Sequence, residues 1–341
     1  MLPELVALTL LVALVAYTLT GGADFGGGVW DIFARGPRKA AQRQLIERAL
    51  APIWEANHVW LILVVVVLFV ALPTAYAAIS TALHIPLVLL LIGIVLRGAA
   101  FVFRTYDPTP GKGALRWRRV FAIASIVSPV FLGVILGALV TGDLRLDAEQ
   151  RPTVGFIAAW AQPFPFLVGL FVLSLFAWLA AVYLTLEARD RELQRDFRLR
   201  AIIAGLCAGV LSLVVLVFAE EHAPRLAVHA RGDVSGADQV LAPLMQIAVA
   251  LLAVGALLAL YLERYRWARV LAAGQVTLVV VGLGLAQWPY VIAPNLTFAD
   301  ALAPAGVVEP MLIVLAVATP ILLVALAYLF KVFKSQQDEE Q

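Results

Sequence analysis

The chain has 341 residues, 62% of them hydrophobic and only 14% charged, with a formal net charge of +2 and a mean hydropathy of +0.94. Soluble domains carry about 25% charged residues, so this composition excludes an ordinary soluble fold, and the near-neutral balance excludes a nucleic-acid footprint. A single cysteine, Cys207, excludes an internal disulfide framework and a multi-thiolate metal site. A polytopic membrane protein remains.

The N-terminal run MLPELVALTLLVALVAYTLT lacks a basic leader and carries Glu4. Its apolar length is about the 20 residues a spanning helix needs, so it reads as an uncleaved first helix over 3–24. Further apolar stretches at 53–76, 79–103, 119–141, 154–186, 200–219, 241–262, 268–291 and 309–332 bring the expected count to nine. No run of short alternating strands suggests a barrel. The fifth stretch is long, and Pro163 and Pro165 in WAQPFPF predict a kinked or interfacial entry. No loop is long enough for a soluble domain, so residues 1–341 read as one transmembrane domain.

Lys and Arg fall very unevenly between these spans. Twenty of the 25 lie in 35–48, 104–119, 189–200, 264–269 and after 330, whereas only Arg145, Arg151, Arg225 and Arg231 lie in the alternate loops. The positive-inside rule then predicts an outside N-terminus and a cytoplasmic C-terminus. The charge-rich loop EARDRELQRDFRLR reads as a solvated helical extension with i,i+4 pairs.

Ionisable residues inside spans are costly and point to function. Asp24 comes late in the first helix, Glu55 and His58 early in the second, and Arg97 late in the third. The alternating direction of the spans puts all four near the cytoplasmic end at one depth. Taken singly, each has a structural reading: Glu55 as a first-turn acid after Pro52, Asp24 as the end of a helix that unwinds in GGADFGGG, Arg97 as a snorkelling side chain. Together they make an acid–arginine cluster able to satisfy its own charges and to pass protons. The glycines around Asp24 allow close helix approach or backbone carbonyls turned inward. They are no nucleotide fingerprint, since no βαβ unit is available. Four histidines at scattered depths argue against heme ligation by this chain. Trp288 and Tyr290 of QWPY fit an aromatic belt.

Three motifs carry a family resemblance. GGADFGGGVWDIF (21–33), APIWEANHVWLI (51–62) and LRGAAFVFR (96–104) resemble subunit II of cytochrome bd quinol oxidases, and the likeness runs the length of the chain. In the second motif Ala51, Pro52, Trp54, Glu55, Asn57, Val59, Trp60 and Leu61 fill the family pattern. The resemblance implies nine transmembrane helices arranged as two four-helix bundles plus a peripheral helix, in the bacterial inner membrane. It implies the heme-free partner of a quinol oxidase that reduces O2 to water, in an obligate heterodimer with subunit I. That subunit carries the b and d hemes and the quinol site. Small single-helix accessory subunits fit the same picture. Asp24 and Glu55 map onto acids implicated in proton uptake, and His58 could join them with an ordinary pKa near ~6.5. Trp54, Asn57 and Arg97 would belong either to a polar cluster or to the site of a structural quinone, which some members hold.

Many members have an acid where this chain has Gly21. Glu55 is often Asp, and position 58 commonly bears an amide. The alternative from another class is a proton-coupled transporter or channel built on the same cluster. Its sites usually lie at the bilayer midplane, not near one face.

Overall fold

The computed structural model describes residues 1–50, 54–106, 112–233 and 238–339. In chain order the helices are α1 (Leu2–Ile32), α2 (Lys39–Leu50), α3 (Trp54–Ala71), α4 (Pro73–Ala82), α5 (His84–Tyr106), α6 (Lys112–Thr141), α7 (Pro163–Glu187), α8 (Arg191–His222), α9 (Pro224–Arg231), α10 (Asp238–Tyr261) and α11 (Tyr265–Gln287). A small ribbon of β1 (Tyr290–Ile292) and β2 (Leu296–Thr297), then α12 (Phe298–Ala301) and α13 (Ala305–Glu339), complete it. The ribbon is antiparallel, with Tyr290 opposite Thr297 and Ile292 opposite Leu296. Among the described residues, eight helices are long and apolar enough to cross a membrane. The bent pair α3–α4 makes up to nine. The chain is an all-α, multi-pass membrane protein.

Several boundaries differ from the sequence reading, four of them for an evident local reason. The first helix does not unwind at GGADFGGG but continues to Ile32. Gly22, Gly26 and Gly28 sit so close to their neighbours that no side chain would fit without displacing them. A Cβ on Gly26 would lie 2.0 Å from the Phe176 carbonyl oxygen, and one on Gly28 would lie 2.1 Å from Ser125 Oγ. The second span ends at Ala71 rather than 76: Pro73 starts α4, which turns 117° away from α3, because proline suits the first turn of a new helix and not the interior of an old one. The third span consequently starts at His84 instead of 79. In the fifth, residues 154–162 are not helical and α7 starts at Pro163 itself. The charged stretch before the sixth span is the helical extension expected, capped by Asp190, whose side chain accepts from the Leu193 amide.

Two apolar cores organise the helices. One joins α7, α8, α10 and α11 around Trp178, Phe197 and a run of buried alanines, with Trp30, Ile46, Ala100 and Phe121 entering it from α1, α2, α5 and α6. The other joins α1, α3, α4, α5 and α6 with Leu144, Ile292 and Leu296 from the arginine-poor end. α1 touches both, packing against α3, α6, α7 and α11. Small residues where α1 meets α7 let the helices approach closely, which is how apolar helices gain contact when lipid competes equally for their surfaces. α13 rests on α3 and α1 and otherwise presents exposed apolar residues such as Ile313, Val317 and Ile321.

Candidate functional site

The late part of α1, the start of α3, the late part of α5 and the middle of α6 meet at a buried polar centre. Asp24 has no exposed surface and Arg97 is 3% exposed. Arg97 Nη2 donates to Asp24 Oδ1 at 2.5 Å and Nη1 to Oδ2 at 2.5 Å, the two-pronged geometry that a guanidinium fork and a carboxylate favour. Arg97 Nη2 also donates to the backbone carbonyl of Asp24 at 3.0 Å, and Arg97 Nε donates to Ser125 Oγ at 3.0 Å. Asn57 Nδ2 donates to Asp24 Oδ2 at 2.6 Å. The guanidinium carbon lies 4.8 Å from the ring centres of both Phe25 and Phe121. A charge taken out of water needs this completeness: in a low-dielectric interior an unpaired ion is the expensive state.

Of the four residues expected at one depth, Asp24 and Arg97 are in physical contact, and Asn57 joins them. Arg97 does not snorkel; it faces inward. A carbonyl does turn toward the polar interior, that of Asp24, yet the helix around it stays regular. His58, next to Asn57, is partly buried and engaged by a neighbouring group. Glu55 and Trp54 belong to the first turn of α3, but their side chains lie outside the described residues, as do Ala51, Pro52 and the side chain of Arg104.

One contributor, Ser125, and a separate buried acid, Asp31, were missed in the sequence. Ser125 is fully buried; it donates to the Phe121 carbonyl while accepting from Arg97. Its signal was a serine in a strongly apolar span, easily passed over because serine bonds its own helix backbone. Asp31 is 1% exposed and lies 3.4 Å from Arg43 of α2. It stands seven residues after Asp24, hence on the same side of α1.

The centre is a closed ion pair: the polar atoms of Arg97 are directed at Asp24 and Ser125. The histidines do not assemble a metal site. His84 and His222 place Nδ1 against the Thr81 and Phe218 carbonyls, His229 lies buried on α9, and His58 is at the other end of the molecule. Among the described residues no three His, Cys, Asp or Glu side chains converge.

A family model described as cytochrome bd terminal oxidase subunit II matches residues 2–333. The chain belongs to that family. Among curated relatives, the cytochrome bd-I ubiquinol oxidase subunit 2 of Escherichia coli (strain K12) is 29% identical over 201 residues, covering 57% of this chain and 51% of that protein. The cytochrome bd ubiquinol oxidase subunit 2 of Bacillus subtilis (strain 168) is 29% identical over 213 residues, covering 61% and 59%. A putative cytochrome bd menaquinol oxidase subunit II of the same organism is 23% identical over 294 residues, covering 82% and 81%. The chain thus spans about half the length of the Escherichia coli relative. A chain in the structure of bd oxidase from Geobacillus thermodenitrificans superposes with a TM-score of 0.76 at 19% identity, over 98% of this chain and 99% of that one. The fold of the subunit is shared from end to end.

Proposed function

We propose that this chain is the heme-free second subunit of a cytochrome bd-type oxidase of the bacterial inner membrane, a complex that oxidises membrane quinol and reduces O2 to water. The observation that carries this is the family match over residues 2–333. The buried Asp24–Arg97–Asn57 centre, built from residues of the first and third family motifs and of the second, agrees with it. Subunit I supplies the hemes and the quinol site and forms an obligate heterodimer with this chain. The curated relatives are named for ubiquinol and for menaquinol, and the substrate class here is a membrane quinol.

The finer architecture we propose is a single domain of nine spans: four around α1, α3, α5 and α6, four around α7, α8, α10 and α11, and α13 as the peripheral ninth. The packing partners of each helix support it. Twenty Lys and Arg on one side against four on the other support an outside N-terminus and a cytoplasmic C-terminus.

Within the complex, we assign Glu55 and His58 to a cytoplasmic proton-uptake route and Asp24 to its electrostatic anchor. Helical spacing puts positions 55 and 58 on one side of α3 and position 57, which meets Asp24, on another. Asp24, held by three side-chain donors from Arg97 and Asn57, is fixed rather than free to carry a proton. That closed pair also disfavours an ion-transport site. A structural quinone finds better space away from Asn57 and Arg97. An apolar cavity of about 190 Å³ among α6–α11, lined by Phe171, Leu216, Met245 and Val279, offers His229 and Gln246 as polar contacts.

Purification through a tag on this chain tests the assignment. The expected result is a larger co-purifying subunit and heme bands in the reduced-minus-oxidised spectrum; a spectrally silent, single-chain particle would overturn it. Glu55→Gln is expected to slow O2 reduction with the heme spectrum intact. Unchanged turnover removes Glu55 from the proton route.

A further inference from the structure

A second arginine centre lies where α1 ends and α8 begins its apolar run. Arg35, Gly36, Pro37, Arg38 and Gln42, with Asp196, Leu199, Arg200 and Ile203, line a cleft of about 270 Å³. Its charges are unequal: three arginines face one carboxylate. That carboxylate is engaged by Arg38 and Gln42. Asp196 accepts from Arg38 Nε at 2.9 Å, Arg38 Nη2 at 2.6 Å and Gln42 Nε2 at 2.7 Å. Arg38 is further tied to Glu192 at 3.1 Å, and hydrogen bonding to Asp196 pushes the Arg38 pKa above its ordinary value.

The other two cations are not closed in this way. Arg200 lies over Phe197, 4.9 Å to the ring centre, and its Nη2 donates to Gln42 Oε1 at 2.7 Å and the Phe33 carbonyl at 3.3 Å. Its Nη1 is buried and has no hydrogen-bond partner among the described residues. Arg35 is exposed, and among the described residues only its backbone N–H is used, donating to Gln42 Oε1 at 3.2 Å. A buried guanidinium N–H without an acceptor is a costly arrangement, and an anion entering the cleft would remove that cost.

What lies below the cleft identifies the anion. Leu199 and Ile203 line it and are 60% and 50% exposed. The exposed row continues as Leu206, Val210, Leu213 and Val217, at the alternating three- and four-residue steps that make one helix face. From 199 to 217 the row runs about 27 Å at 1.5 Å per residue, close to the ~30 Å hydrocarbon core. An anion seated at Arg200 thus stands at the head of an apolar track one membrane deep. A soluble anion makes no use of such a track, whereas an acyl chain fills it.

We propose that this cleft binds the phosphodiester headgroup of an anionic phospholipid, with Arg35 and Arg200 on the phosphate and an acyl chain along Leu199, Ile203 and Leu206. The site is independent of the proton-route assignment, since it lies on the face of α8 and needs no oxidase turnover to be seen.

The test is native mass spectrometry of the tagged complex, delipidated in detergent and titrated with phosphatidylglycerol, phosphatidylethanolamine or inorganic phosphate. Phosphatidylglycerol is expected to be retained, phosphatidylethanolamine to bind more weakly and inorganic phosphate not to compete. Arg200→Gln is expected to weaken phosphatidylglycerol by about tenfold, as loss of a charge-assisted contact implies. Arg35→Gln, an exposed change that cannot unfold the chain, should weaken it by a smaller factor in the same direction. Equal retention of phosphatidylglycerol by wild type and both variants overturns the site. Displacement by inorganic phosphate makes it a soluble-anion site instead, and an acidic polypeptide retained in place of lipid makes it a protein contact; either result also overturns the proposal.

Discussion

Arg97 and Arg200 are both arginines packed against aromatic rings near the same end of the helices, yet they are treated oppositely. Around Arg97 each guanidinium nitrogen has an acceptor, drawn from two carboxylate oxygens, a backbone carbonyl and a serine hydroxyl. Around Arg200 the nearby carboxylate is taken by Arg38, and Nη1 is left without an acceptor among the described residues. The difference follows depth. Inside the bundle lipid offers no acceptor, so the protein supplies one to each guanidinium nitrogen. At the membrane boundary the surroundings can supply an acceptor, and the protein leaves a place for one.

The strongest way to break this contrast is to halve the inner pair. Asp24→Ala leaves a buried guanidinium without its partner and is expected to cost about 3–5 kcal/mol, seen as a large fall in thermal stability and yield of the purified complex. Arg97→Ala should do similar damage. Asp24→Leu with Arg97→Met removes both charges and should recover much of the loss; a double variant as unstable as either single one would show that the pair is not what makes the site costly to disturb.

The next effect tests the close approach that brings α1 to that centre. Gly26→Ala drives a methyl into the Phe176 carbonyl and is expected to cost about 1–3 kcal/mol through overpacking. Gly209→Ala on α8, where an added Cβ meets nothing within 4 Å, is the control and should be neutral or stabilising by about 0.5–1 kcal/mol. Equal melting temperatures for the two would remove the packing role of Gly26. The smallest effect belongs to the boundary itself. Arg38→Gln breaks a partly exposed ion pair and is expected to cost no more than about 1 kcal/mol, less at high salt. A salt-independent loss as large as that of Asp24→Ala would erase the distinction between the two arginine centres.

The contact between Asp24 and Arg97 was legible from the sequence because span order and loop charge assign a depth to each residue, and an acid and a base at one depth in neighbouring helices have strong reason to meet. Asn57 was legible only through its motif. Hydropathy could not show the turn at Leu72 and Pro73: alanine, isoleucine and leucine continue on both sides of it, and a bend changes no residue's polarity. The same blindness counted 154–162 into the fifth span, since Phe156, Ile157 and Trp160 are apolar wherever the chain runs. The glycine run around Asp24 permitted either unwinding or tight packing; the aromatic and small residues of α7 opposite it, distant in sequence, decided for packing. Ser125 escaped because one hydroxyl in an apolar span is usually satisfied by its own helix.

Arg97 holds Asp24 by both its carboxylate and its main-chain carbonyl. A side-chain bond alone would let the chain behind it swivel, and a main-chain bond alone would leave the carboxylate free to swing. Gripping both fixes the angle and the height of α1 against α5 at a single residue. α1 also lies against α7, with Phe176 pressed to Gly26. A push on either group of helices therefore reaches the other through one spindle that can neither turn nor slide at Asp24.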